Sequence, residues 1–205
     1  MAKKTDKLDL YKQHKGQYVA ARRPVLIMVP SIPYLAIDGR GKPGDEDFEA
    51  KVGALYATAF TIKMTRKFAG KGDYKVCHLE GLYWTGRGID WDVPPERLNW
   101  TLMIRVPDFI RAADLKAAVK ALDAKGKAPA AKHVRLEKVR EGRCVQMLHV
   151  GPYSDEKRTV AAMQQFAAEK GLTFHGRHHE IYISDPRRVP PERLRTILRM
   201  PVGKA

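Results

Sequence analysis

One hexapeptide occurs twice in this chain. Val93-Pro94-Pro95-Glu96-Arg97-Leu98 returns as Val189-Pro190-Pro191-Glu192-Arg193-Leu194. Each copy follows a strand-like run bearing a glutamate, His78-Leu79-Glu80-Gly81-Leu82-Tyr83-Trp84 in one case and His178-His179-Glu180-Ile181-Tyr182-Ile183 in the other. Each copy then leads into an apolar stretch, Leu98 to Val106 and Leu194 to Met200. An internal duplication has to be settled before any fold is considered, and here it specifies one unit used twice. The first copy carries a longer turn, Thr85 to Asp92, containing Gly86, Gly88 and Trp91.

The elements of each unit follow from periodicity. Pro24 to Pro30 and Tyr34 to Gly39 are β-rich runs that read as a hairpin. From Asp45 the spacing becomes helical, with Phe48, Val52, Leu55, Ala59 and Ile62 on one stripe, acids near the start, and Gly70 and Gly72 as terminators. Tyr74 to Trp84 and Leu98 to Val106 are strands. In the second unit His133 to Val139 and Cys144 to Val150 read as a hairpin turning at Glu141-Gly142, and a helix runs from Ser154 as N-cap to Lys170. The expectation is an α+β fold: one domain over 1–205, built from two tandem pseudo-symmetric strand-helix-strand-strand modules with a ligand cleft between them. The modules span about 25–107 and 133–202, joined by a helical linker, 108–132. Residues 1–15 are polar and read as a loose arm that Leu8, Leu10 and Tyr11 could dock.

Within an extended segment alternate side chains share a face, so Glu180 lies with Tyr182 while Ile181 and Ile183 point the other way. An acid beside a tyrosine must face solvent, a neighbouring chain or a cavity. The cleft between the modules is the natural site, and symmetry predicts that Glu80 and Glu180 occupy equivalent places beside it. Aromatic side chains suit a flat lipophilic ligand, giving large contact area at low rotamer cost. Trp84, Trp91, Trp100, Tyr56, Tyr83, Tyr153 and Tyr182 are the candidates. Tyr56 lies beside the main helical stripe and could point past the helix edge; Trp91 suits a rim.

Several chemistries are disfavoured. His78 and Glu80, like His178 and Glu180, place two ligand types on one strand face, but no Cys-x-x-Cys or His-Glu-x-x-His accompanies them, so neither a metal nor a cofactor is expected. Cys77 and Cys144 lie in apolar strands that disfavour a thiolate, and they read as free thiols of a reduced compartment. The Gly39 to Gly44 turn lacks the ending of a phosphate loop. No stretch is long and apolar enough for a membrane span, and no signal-peptide core follows the N-terminal lysines, so a cytoplasmic location is expected. The 205 residues carry a formal charge of +15. That charge raises nucleic acid or an acidic protein as partners, although the arginines near the C-terminus lack interleaved aromatics.

Four segments in order resemble the GyrI-like small-molecule-binding family: Asp73 to Trp84, Asn99 to Phe109, His149 to Tyr153 and His179 to Pro186. The resemblance covers about residues 25–202. It implies an aromatic-lined pocket with a buried glutamate that meets flat lipophilic or cationic ligands. The stand-alone branch that the chain resembles hydrolyses the strained cyclopropane of DNA-alkylating natural products. Tyr83 departs from the tryptophan expected beside Trp84. On this footing Glu180 is expected as general base to water and Tyr153 as proton donor, with Trp100, Trp84, Tyr182, Tyr56, Glu80, Trp91 and Tyr83 around the ligand. The alternatives are a drug-sequestering module without turnover and a basic-surface protein that binds DNA gyrase or nucleic acid.

Overall fold

The computed structural model describes residues 7–86, 88 and 92–205. Trp91, expected on the rim of the cleft, lies outside the described residues. Seven strands form one sheet: β1 Val25–Arg40, β2 Leu79–Trp84, β3 Asn99–Arg105, β4 Arg135–Val150, β5 Leu172–Phe174, β6 His178–Tyr182 and β7 Arg195–Lys204. Their order is β4-β1-β3-β2-β6-β7-β5, and β4 also pairs with β7, so the ladder closes on itself. Closure leaves an inner and an outer face.

The two long strands make the closure. β1 pairs with β4 through its first half and with β3 through its second, and the end of β4 runs along β7. Both regions were expected to be hairpins. The chain does not reverse in either, because Ile32 and Pro33 stay in register with Val139 and Lys138, and Gly142, at φ 72, stays paired with Val29. Turn-forming residues here bend a continuous strand.

Two helices cover the outer face. In α3, Glu46–Phe68, Asp45 caps the N-terminus by accepting from the Phe48 amide at 2.8 Å, and Glu46, Asp47 and Glu49 complement the helix dipole. Its stripe of Phe48, Leu55, Ala59 and Ile62 packs on Leu35, Ile37, Leu102 and Ile104, all buried. Each such aliphatic side chain contributes roughly 1.5–3 kcal/mol on burial, which fixes this face of α3 against the sheet. The expected linker contains α4, Ala112–Asp123, tied to α3 by an Arg66–Asp114 ion pair at 2.9 Å. In the second unit α5, Glu156–Ala168, lays Val160, Met163 and Ala167 on Val145, Leu198 and Met200. Ser154 does not cap it. A 3-10 turn, Tyr153–Asp155, follows Pro152, so the helix starts one residue later than expected, with Asp155 at the N-cap and Glu156 first.

The N-terminal segment is held from residue 8 onward, where the sequence suggested a loose arm. Leu8 bridges to Tyr74, α1 (Leu10–Gln13) and α2 (Lys15–Tyr18) follow, and Leu10 and Tyr18 are buried. Its apolar residues outweigh the lysines between them.

Candidate active site

The two units meet where β2 runs antiparallel to β6, with Glu80 opposite Ile181 and Gly81 opposite Glu180. Opposed residues share a face, so Glu80 and Glu180 point to opposite sides of the sheet. The equivalence expected between them is therefore wrong by one position. A two-fold relation normal to the sheet keeps every side chain on its own face, and the matching pairs are Glu80 with His179 and Tyr83 with Tyr182. Both pairs have the same sequence separation of 99 and both touch: Glu80 Oε2 to His179 Nε2 at 3.0 Å, and the two tyrosine hydroxyls at 2.5 Å. One contact lies on the inner face and the other on the outer.

On the inner face Glu80 is a framework residue. It is wholly buried and accepts from the hydroxyls of Tyr18 at 3.1 Å and Tyr34 at 3.0 Å as well as meeting His179. His179 also meets Glu141 at 3.0 Å, and Glu141 accepts from Arg199 at 2.9 Å. Burial opposes charge on His179, but Glu141 and Glu80 outweigh it and lift its pKa to about 9. Burial likewise opposes charge on Glu141, and His179 and Arg199 outweigh it, bringing that carboxyl down to about 2. Paired and hydrogen-bonded on every side, these charges serve stability. Cys77 and Cys144 are buried, and burial, with nearby Glu80 and Glu141 respectively, pushes each thiol up to about 12.

The outer face carries the other glutamate. Glu180 accepts a hydrogen bond from Tyr182 at 2.8 Å, and His178 Nε2 lies 3.3 Å from its second oxygen. Tyr83 reaches Tyr182 because Gly81 has no side chain: a Cβ there would stand 2.6 Å from the Tyr83 ring. Gly81, the symmetry mate of Glu180, thus vacates the space that the Tyr83 ring fills. Tyr153 stacks edge-on against Tyr182 with ring centres 5.9 Å apart, and it is exposed. The turn carrying Tyr153 is fixed from below by His149, whose Nδ1 lies 2.8 Å from the Thr159 hydroxyl and whose Nε2 lies 3.1 Å from the Pro152 carbonyl. Gly151, at φ 139, permits that approach.

Glu156 completes the group, and the sequence reading missed it. It opens α5, is buried, and comes within hydrogen-bonding reach of Glu180. Burial first, and Glu180 second, push its carboxyl well above the usual range. A signal was present: Glu156 lies on the apolar stripe with Val160, Met163 and Ala167, where an acid calls for an explanation. Burial followed by the charge of Glu180 also raises the phenols, Tyr153 to about 12 and Tyr83 and Tyr182 further, so all three are donors at neutral pH.

One ligand atom each from Glu156, His178 and Glu180 falls within 4.8 Å of the others, close enough to share a cation. One Glu180 oxygen is engaged otherwise. Glu180 Oε2 accepts from the Tyr182 hydroxyl and abuts Glu156, while His178 Nδ1 faces Met200 Sδ at 3.3 Å. We therefore read a hydrogen-bonded cluster suited to proton transfer, in which a carboxylate, a carboxyl group and three phenols stand together.

The other expected site residues divide by face and depth. Trp100 is wholly buried beneath α3, edge-on to Phe48 at 5.0 Å and donating to the Gly41 carbonyl at 3.1 Å, so it is a core residue where a ligand contact was expected. Its ring lies against Gly39, where a Cβ would stand 1.9 Å away. Trp84 shares the parity of Glu80 and lies on the face away from Glu180, under the Arg177 guanidinium at 4.1 Å. Tyr56 is half-buried on α3: burial raises its phenol, its oxygen meets the Leu79 backbone, and Asp185 and Arg187 stand nearby. Phe60 stacks on it at 6.3 Å and is half exposed. Depressions of about 350 and 370 Å³ open elsewhere, by Arg22 and Arg158 and by Lys138, Arg140 and Arg177. The first is also lined by His149, Asp155 and Thr159, and the second by Glu137, Glu141 and His175.

Residues 23–202 match the GyrI-like small-molecule-binding domain. The chain is similar to the crystal structure of an uncharacterized conserved protein from Listeria innocua, with 40% identity over 96% of this chain and 100% of that one and a TM-score of 0.90. A protein from Listeria innocua described as a hydrolase is 38% identical over 97% of this chain and 100% of its own, with a TM-score of 0.89. The C-terminal domain of EcmrR, at 14% identity over 89% and 98% of the two chains and a TM-score of 0.55, shares the fold. No curated protein matches the sequence.

Proposed function

The chain belongs to the GyrI-like small-molecule-binding family, and on that premise we propose that it binds flat, lipophilic aromatic molecules between α3 and α5 and hydrolyses those bearing a strained, electrophilic cyclopropane. Detoxification of DNA-alkylating compounds in the cytoplasm is the role this chemistry serves. The observation that carries the reading is Glu180, held by Tyr182 and abutted by Glu156 below the exposed ring of Tyr153. The relatives described as hydrolases, at 38% identity, support turnover.

The reaction balances with these residues alone. Glu180 takes a proton from water as the water oxygen bonds to a ring carbon. The strained carbon–carbon bond breaks, and its electron pair passes through the conjugated system to a carbonyl oxygen. Tyr153, still protonated at neutral pH, donates to that oxygen; the proton on Glu180 then returns to Tyr153, which restores both residues, and the product is the substrate plus one water. A positioned base or acid contributes about 10²- to 10⁴-fold. Tyr56 and Phe60 on α3 and Tyr153 beside α5 offer flat apolar contact. Incubation with a spirocyclopropyl dienone, followed by mass spectrometry, tests the reading: hydrolysis adds one water, whereas a sequestering protein returns the compound unchanged.

A further inference from the structure

We propose that Glu156 is a positioning residue whose side chain carries a proton shared with Glu180, and that this shared proton keeps the neighbouring carboxylate ionised and aimed at the attacking water. The inference rests on the hydrolytic reading above only for the water; the shared proton stands on geometry. Two carboxyl groups within hydrogen-bonding reach, one of them buried, are held together by a proton and repel without it. Glu156 is 5% exposed and its Oε1 has no hydrogen-bond partner among the described residues. An ionised carboxylate with a bare buried oxygen would be costly, whereas a carboxylic acid that spends its one proton on Glu180 needs little else.

The surroundings agree. Facing the pair are His178 and Tyr182 of β6, Tyr83 of β2, Tyr153 of the preceding turn, Asp185 of the loop after β6, and His149 and Thr159 beneath. Glu180 opposes a second negative charge on Glu156. The start of α5 favours an anion, but a helix terminus contributes less than burial beside another carboxylate costs. A proton held on Glu156 leaves Glu180 as the base and makes their roles unequal. Two carboxyl groups in different environments can thus serve as acid and base at one pH.

Infrared difference spectroscopy of the whole chain reads the proton without substrate. At pH 7 the wild type should show a protonated-carboxyl stretch that is missing in Glu156→Gln, with near-ultraviolet circular dichroism confirming that both fold. Absence of that difference band overturns the proposal. Kinetics on the spirocyclopropyl dienone read the positioning: Glu156→Gln, whose amide still donates to Glu180, should keep kcat within about tenfold of wild type, whereas Glu156→Ala should lose about 10²-fold with KM little changed. Wild type should slow at alkaline pH as the shared proton leaves, and Glu156→Gln should not. An alkaline limb that is the same in wild type and Glu156→Gln also overturns the proposal. A difference band without wild-type turnover upholds the shared proton and refutes hydrolysis instead.

Discussion

Replacing His179 with glutamine tests how the closed sheet holds buried charge. His179 is wholly buried between Glu80 and Glu141, at 3.0 Å from each. Its proton is bound more tightly in the folded chain, at a pKa of about 9, than in the unfolded chain, near 6.5. The stability this contributes is complete below pH 6.5 and is lost as pH rises toward 9. At about 1.4 kcal/mol per pH unit, the loss is roughly 3 kcal/mol. Glu141 reports the same ion pair from the acid side: held at about 2, it contributes stability above the ordinary carboxylate range that disappears as pH falls below 4.5. The two figures describe one interaction and are not summed. Glutamine takes one of two cations from the buried acids and leaves only Arg199 on Glu141, so His179→Gln should cost about 3–5 kcal/mol at pH 6 and should flatten the decline between pH 6.5 and 9. Urea unfolding followed by circular dichroism at pH 6, 7.5 and 9 measures both, and other titrating groups cancel in the comparison with wild type. If the two proteins lose stability in parallel over that range, the assignment of His179 as a buried cation is refuted.

Three further substitutions probe the frame of the site. Gly81→Ala forces the Tyr83 ring away from Tyr182; overpacking of this kind costs about 1–3 kcal/mol, read as a lower urea midpoint together with weaker ligand binding by calorimetry. Tyr18→Phe removes one of the donors to Glu80 and should cost about 1–3 kcal/mol in urea unfolding, more than an exposed tyrosine would. Phe60→Ala removes a half-exposed ring, so the thermal midpoint should barely move while affinity for a polycyclic aromatic ligand falls several-fold in the same calorimetric assay.

The repeated hexapeptide made the tandem architecture legible, and the stripes of α3 and α5 made their packing so. Strand parity correctly put Glu180 and Tyr182 together. The failures have physical sources. Pro30 and Gly142 read as turn residues, but pairing on both sides kept β1 and β4 continuous, and that continuity closes the sheet. Aligning the two glutamates ignored the alternation of faces, which a two-fold axis preserves; His179 is the true mate of Glu80. Trp100 carried the composition of a pocket and the environment of a core, because Gly39 receives its ring. Glu156 was overlooked because the stripe of α5 was read from its apolar members, Val160 onward, and the acid one turn earlier was not counted on it.

The most direct test of the central claim is turnover by wild type and Glu180→Gln on one spirocyclopropyl dienone, with the product weighed by mass spectrometry. The account predicts that wild type adds a single water and that Glu180→Gln does so about 10²- to 10⁴-fold more slowly while still binding the ligand. Equal rates for the two proteins, or a ligand recovered unchanged from wild type, would contradict it.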